Sequence, residues 1–349
     1  MPAPAGPEAG DGRDAAPILP VVEDVARVLA PALAIDVGGS KLAAGIVDGE
    51  GRLLVSRRVP TPVTADPAAV WAALETLVGA VRAEYGRPVA GAGVGCGGPM
   101  SWPAGEVSPL NLPAWRDFPL RAAVRDLLRA GRTSSRAPSR PVRLHNDAVC
   151  VAVGEHWRGA GRGSRDVLGM VVSTGVGGGL VLGDRLIDGA SGNAGHIGHV
   201  LVQPADQPDS PLCGCGARGC LEAVARGPAV VGWAQRQGWV GEPTGVALAA
   251  SAAGGNPVAR AAFARAGRAL GLGIASAVNL CDVSVVAIGG GLVGAGAPLL
   301  EPLAAAYAER ARLPFSRRAQ VVPARLGADA GLVGAAALVL CADRYWTVD

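Results

Sequence analysis

Two α/β domains are the fold predicted for this chain, and three observations predict it. Short apolar runs of strand length alternate with stretches of helical spacing from about residue 32 onward. The two halves open alike, each with a strand, a Gly-rich turn and a second strand, which points to an old duplication. A chain of 349 residues, 50% of them hydrophobic, also has enough apolar surface for more than one core.

Residues 1 to about 30 are rich in Ala, Pro and Gly without a sustained apolar period, so they are expected to form a mostly disordered leader. The fold is expected to begin at Ala32. There ALAIDV, LAAGIVD and RLLVSRRV form a β-meander, its runs separated by DVGGSK and DGEG. Asp66 to Tyr85 carries Val70, Ala73, Leu74, Leu77 and Val81 at helical spacing behind an Asp-Pro start. Val89 to Gly95 follows as a strand, and Asp117 to Ala130 as an amphipathic helix. The loop GRTSSRAPSR lies in a basic stretch with Arg129, Arg132, Arg136, Arg140 and Arg143. That stretch is either a solvated insertion or a docking patch for an anionic partner.

VRLHND then reads as a strand leading into a helix over Ala148 to Trp157. The second half gives a strand at Val167 to Ser173, a Gly-rich turn, a strand at Gly179 to Leu182, a cysteine segment and several Ala-rich helices. Val283 to Ile288 is a strand ending in the triplet Gly289 to Gly291, and Gly331 to Cys341 is a closing helix of small and aliphatic residues.

Charge and cysteine usage narrow the function. Only 17% of residues are charged and the net charge is +3, so no strong field is available to hold nucleic acid or a membrane surface. No apolar stretch reaches the roughly 18 residues of a spanning helix. The N-terminus lacks a cationic start followed by an apolar block, so the cytoplasm is the expected location. Seven cysteines is an odd number, and three crowd into CGCGARGC, which fits metal binding in a reducing compartment.

Three Gly-rich turns follow apolar strands: Asp36 to Lys41, Ser173 to Gly179 and Ile288 to Gly294. Glycine lets backbone approach a phosphate, and successive N–H groups form an anion-binding concavity. None of the turns fits the P-loop or Rossmann patterns in its context. The first two appear between paired strands, as β-hairpin cradles. Candidate phosphate contacts are Gly38, Gly39, Ser40, Thr174, Gly175, Gly290 and Gly291. Asp36 is placed to hold Mg²⁺ through water. Lys41, the only lysine in the chain, either neutralises phosphate or is an exposed strand residue.

Asp147 sits where a strand meets a helix. Its residue type suits a helix N-cap, and it equally suits the carboxylate that accepts a hydroxyl proton in phosphoryl transfer, with Asn146 positioning the acceptor. His199 with Cys213, Cys215 and Cys220 offers the Cys3His set of a closed structural zinc site. Such a site organises a loop and performs no chemistry.

Val172 to His199 (VSTGVGGGLVLGDRLIDGASGNAGHIGH) resembles the signature of the ROK family of repressors and sugar kinases. DVGGSK resembles that family's first phosphate motif, VGCGGPM and NLPAW its sugar loops, HND its catalytic motif, CGCGARGCLE its zinc motif and IGGGL its adenosine motif. Together these span roughly Ala32 to Leu340. The resemblance implies an actin-like, hexokinase-like fold of two α/β domains closing on ATP with Mg²⁺ and a hexose. It implies a leader over 1–31, a small domain over 32–144 completed by a returning helix near 331–345, and a large domain over 145–330 with a zinc loop at 199–220. Asp147 would be the general base for the 6-hydroxyl, and Gly98, Asn146, His196, His199 and Glu222 would contact the sugar. One structural Zn²⁺ and a homodimer are also implied.

One residue departs from the family pattern. The pocket usually reads GExGH, and here it reads GHIGH, so His196 stands where a glutamate is usual. Glucose is the first expected substrate, with N-acetylmannosamine, N-acetylglucosamine or another amino sugar as the alternative, because an imidazole can both donate and accept. Polyphosphate in place of ATP is a further alternative. A sugar-responsive repressor would need an N-terminal DNA-reading domain of roughly 60 residues. Fewer than 35 residues precede the first strand here, so that reading and a nucleic-acid partner are not expected.

Overall fold

The computed structural model describes residues 30–130, 140–207 and 209–346. The expected leader, apart from Ala30 and Pro31, and the central part of the basic loop, including Arg132 and Arg136, lie outside the described residues.

Two five-stranded sheets carry the fold, and their strand orders correspond. The first contains β1 (Ala32–Val37), β2 (Lys41–Val47), β3 (Leu53–Pro60), β4 (Ala92–Cys96) and β7 (Val142–Asn146), in the order β3-β2-β1-β4-β7. A short hairpin of β5 (Met100–Ser101) and β6 (Glu106–Val107) stands apart from it. The second contains β8 (Val167–Val172), β9 (Val176–Leu182), β10 (Arg185–Leu186), β11 (Val285–Gly289) and β12 (Gln320–Pro323), in the order β10-β9-β8-β11-β12. In each sheet three strands form an antiparallel meander and two more extend it in parallel. Tight turns join the meanders, whereas the parallel pairs need helical crossovers. Helix Leu120–Arg129 supplies one between β4 and β7, and helix Ala297–Arg310 supplies its counterpart between β11 and β12.

Two helices lie between the sheets. Helix Asp147–Arg158 leaves the end of β7 and packs on β8 and β9, while helix Ala330–Leu340 packs on it and on β1 and β4. Small residues permit this closeness. A methyl group at Gly334 would overlap the Cys150 carbonyl, and one at Gly93 would overlap the Ala335 carbonyl. The seam between the sheets is apolar, with Ala34, Val149, Val153, Leu332, Ala336 and Tyr345 all buried.

Several sequence-based boundaries shift, each for a local reason. The amphipathic helix begins at Leu120, because Pro119 occupies its N-cap and Asp117 adopts a left-handed φ of 48°. The strand expected from Val89 starts at Ala92, and that expected from Val283 starts at Val285. The strand expected from Gly179 starts at Val176, which takes Gly177, Gly178 and Gly179 out of the second turn. Gly178 faces the Gly169 and Gly195 carbonyls, while Gly177 and Gly179 face helix Asp147–Arg158: a methyl at Gly177 would lie 2.6 Å from Ala148 Cβ, and one at Gly179 would lie 2.9 Å from Val149 Cα. The latter two admit a helix to the sheet, and the turn itself is confined to Ser173–Gly175.

Candidate active site

The carboxyl ends of β1, β4 and β7 lie side by side, the usual place for ligands in an open α/β sheet. In β1 and β4, Asp36 pairs with Gly95 and Val37 with Cys96. Between β4 and β7, Cys96 pairs with Asn146. The register therefore sets Asp36, the loop beginning at Gly97 and the Asn146-Asp147 pair side by side.

Asn146 caps helix Asp147–Arg158: its Oδ1 accepts the Ala148 N–H at 3.0 Å. Its Nδ2 remains turned toward the loop, 3.5 Å from where a Gly98 side chain would begin. Asp147 Oδ1 accepts the same Ala148 N–H at 2.8 Å. Burial pushes the Asp147 carboxyl above its ordinary range, opposed by backbone N–H groups of Ala148 and of Asp147 itself. Asp36 is pushed up to about 7 by burial and by the neighbouring Asp147 charge, while Lys41 and Arg58 pull it down. A carboxyl whose proton is held this loosely near neutrality loses it more readily when a cation arrives, which is compatible with Mg²⁺ at Asp36.

The first turn is held by Gly38 N–H donating to the Lys41 carbonyl at 3.0 Å and by Thr61 Oγ1 donating to the Gly38 carbonyl at 2.7 Å. Ser40 and Lys41 are exposed at the start of β2. Gly39 lies against Asn111, leaving no room for a side chain, and a methyl at Gly97 would lie 3.2 Å from Asn111 Oδ1. Asn111 thus stands between the first turn and the Gly97-Gly98 loop. The motif containing it was legible, but the residue itself carried no signal that singled it out. Across the cleft, Thr174 and Gly175 form the second turn, and Gly290, with φ 97°, and Gly291 follow β11.

Glu222, on helix Leu221–Ala225, reaches the second turn. Its Oε2 accepts the Val176 N–H at 3.0 Å and would lie 2.9 Å from a methyl at Gly175. His196 Nε2 lies 3.2 Å from Asn193 Oδ1, and Asn193 Nδ2 donates to the Ser191 carbonyl and hydroxyl. Asn193 oxygen is therefore an acceptor, His196 carries its proton on Nε2, and Nδ1 is left as an acceptor. Burial and the nearby His199 lower the His196 pKa, outweighing Glu222, which favours the neutral ring.

The ligand atoms of His199, Cys213, Cys215 and Cys220 all lie within 4.8 Å of one another. His199 Nδ1 is 3.7 Å from Cys213 Sγ, and Cys215 Sγ is 3.7 Å from Cys220 Sγ. Zn–S bonds of about 2.3 Å at tetrahedral angles place sulfurs about 3.7 Å apart, the spacing seen for Cys215 and Cys220, so the donor set is compatible with that ion. Burial and the neighbouring thiols push Cys220 up to about 12, whereas the Ala217 N–H pulls Cys215 below its usual value.

A buried pair includes a β7 residue: His145 Nε2 is 3.1 Å from Asp188 Oδ1. Neither residue was singled out from the sequence, since a contact across 43 positions has no local signature.

Comparison with known proteins places these residues in a family. The ROK family model matches residues 32–342. The glucokinase of Streptomyces coelicolor is 35% identical over 324 residues, covering 88% of this chain and 96% of that protein. The N-acetylmannosamine kinase of Yersinia pseudotuberculosis is 34% identical over 305 residues, covering 87% and 96%. A ROK family glucokinase from Streptomyces griseus, solved with glucose and AMPPNP, superposes with a TM-score of 0.74 at 33% identity over 88% of this chain and 99% of that one. The architecture is the actin-like, hexokinase-like fold expected from the sequence. The chain belongs to the ROK family.

Proposed function

We propose that this chain is an ATP-dependent sugar kinase that transfers the γ-phosphoryl group to the 6-hydroxyl of a hexose, with glucose first among acceptors. The observation that carries the reading is Asp147: a half-buried carboxylate where β7 meets a helix, one oxygen held by a backbone N–H, beside Asn146 and near Asp36. In this reading Asp147 Oδ2 takes the O6 proton as the O6–Pγ bond forms and the Pγ–O bond to ADP breaks. Burial raises its basicity for that step. Asn146 Nδ2, the Gly98 loop, His196 and Glu222 orient the sugar, and His199 acts from the metal side of the same pocket. Gly38, Gly39, Ser40, Thr174 and Gly175 receive the phosphates and Gly290 and Gly291 the adenosine side, with Lys41 at the rim. Asp36 would hold Mg²⁺ through water, and that ion supplies charge neutralisation on the phosphates. Zn²⁺ on His199, Cys213, Cys215 and Cys220 would fix the loop that carries Glu222. A homodimer in the cytoplasm completes the proposal; among the described residues no helix is long and apolar enough to cross a membrane.

A second reading, an amino or N-acetylamino hexose as acceptor, is favoured by His196. Its neutral ring offers Nδ1 as an acceptor, which suits an amide N–H near C2 of the sugar. An assay of phosphorylated-sugar formation across hexoses and hexosamines, with ATP and with polyphosphate as donors, tests both. The proposal expects turnover with ATP and glucose. Turnover only with N-acetylated sugars selects the second reading, turnover only with polyphosphate replaces the donor, and no phosphorylated sugar under any condition overturns the assignment.

A further inference from the structure

The buried pair His145–Asp188 sits at a junction. His145 is on β7, immediately before Asn146 and Asp147, at the edge of the first sheet. Asp188 lies beyond β10 of the second sheet, eight positions before His196. His145 has 0% of its surface exposed and Asp188 7%, so water competes little for their hydrogen bond.

The ring is oriented on both sides. His145 Nδ1 accepts the Asn146 N–H at 2.8 Å, so its proton is on Nε2, which donates to Asp188 Oδ1 at 3.1 Å. Asp188 in turn closes the following loop, because its carbonyl accepts the Ala194 N–H at 3.1 Å. That bond is the neck of the segment Asp188–Ala194, and His196 follows it by two residues. Trp102 braces the same loop, with its ring 6.1 Å from that of His145 and a methyl at Gly192 placed 2.6 Å from Trp102 Cβ. A continuous chain of hydrogen bonds therefore runs from the Asn146 backbone through His145 and Asp188 to the loop that presents His196.

We propose that His145 and Asp188 are a positioning pair that ties the sugar loop of the second sheet to the catalytic strand end of the first, setting where His196 stands relative to Asn146 and Asp147. Neither residue touches the reacting atoms. The pair acts on sugar binding, and it leaves the nucleotide side unchanged. This inference rests on the sugar-kinase reading above.

The two nitrogens of His145 are separable by substitution. Asparagine replaces the Nδ1 acceptor without reaching Asp188, and glutamine reaches Asp188 without replacing Nδ1. The test measures KM for D-glucose, with N-acetylmannosamine in parallel, and KM for ATP in H145N, H145Q, D188A and the double variant H145N/D188A. The expected result is a sugar KM raised about tenfold to a hundredfold in H145N and D188A, the size of a lost buried hydrogen bond. ATP KM stays within twofold, H145Q stays near the wild type, and the double variant is no worse than either single one. A fall in thermal stability with sugar KM unchanged in H145N and D188A would overturn the proposal, because a merely structural pair gives that pattern. So would additive effects in the double variant. Hydrogen exchange on the unmodified enzyme covers variants that fail to fold. Glucose is expected to protect residues 142–147 and 188–199 together, and protection of only one segment contradicts the link. A wild-type enzyme that phosphorylates neither sugar defeats the kinase reading itself, an outcome distinct from all of these.

Discussion

Asn146 Oδ1 and Asp147 Oδ1 share one donor, the backbone N–H of Ala148, at 3.0 Å and 2.8 Å. The amide N–H at the start of helix Asp147–Arg158 therefore orients both side chains at once. It leaves Asn146 Nδ2 and Asp147 Oδ2 as the groups that face a ligand. Helix capping and the proposed catalysis, which compete as explanations of HND in the sequence, are compatible here, because capping uses only one oxygen each of Asn146 and Asp147.

Burial raises the Asp147 carboxyl, and a base must be ionised to act. The active form is the deprotonated one, so kcat rises with pH and falls on acidification. Because the pKa is raised, the acid limb of the kcat profile should lie above the ordinary carboxylate value of about 3.9. A limb at or below that value would show that burial does not govern this group in the loaded enzyme.

Cys215→Ser removes one of the four donors gathered within 4.8 Å. Metal analysis should find close to one zinc per chain in the wild type and little in the variant, with a higher KM for sugar and a lower unfolding temperature. A zinc-free variant with wild-type kinetics would contradict the role given to the cluster.

Gly334→Ala tests the seam between the two sheets. Its methyl group would overlap the Cys150 carbonyl on helix Asp147–Arg158, where backbone must move to make room. The expected cost is about 3 kcal/mol or more, read by denaturant unfolding. Gly79, on the exposed face of helix Pro67–Tyr85 with nothing within 4 Å, is the control: alanine there should stabilise slightly. Equal effects at the two sites would mean that close helix packing does not hold the halves together.

These contacts also show where the sequence was readable. The first hairpin with its Gly turn, the strand-to-helix step at Asp147 and the Cys3His set were legible, because each is written in neighbouring residues. Gly177 and Gly179, read as part of a phosphate turn, lie in a strand against a helix, because a glycine that admits a helix and a glycine that admits a phosphate look alike in one dimension. Asn111 and the His145–Asp188 pair had no local signal, since their partners come from other strands and loops.

His196→Glu restores the carboxylate acceptor usual at this position. The ratio of kcat/KM for glucose to that for N-acetylmannosamine should rise, by roughly tenfold for one charge-assisted hydrogen bond gained. An unchanged ratio would remove His196 as a selector, whichever sugar the enzyme prefers.

The most direct measurement concerns Asp147→Asn, which keeps the size of the side chain and removes its basicity. Wild-type and variant protein are each incubated with MgATP and ¹³C-labelled glucose, and the product is followed by ¹³C and ³¹P NMR while calorimetry reports glucose binding. The account predicts phosphate on O6 with the wild type, and for the variant a loss of about a thousandfold or more in turnover with glucose affinity within a few-fold of normal. Turnover by the variant near the wild-type rate, or phosphate on another oxygen, would contradict it.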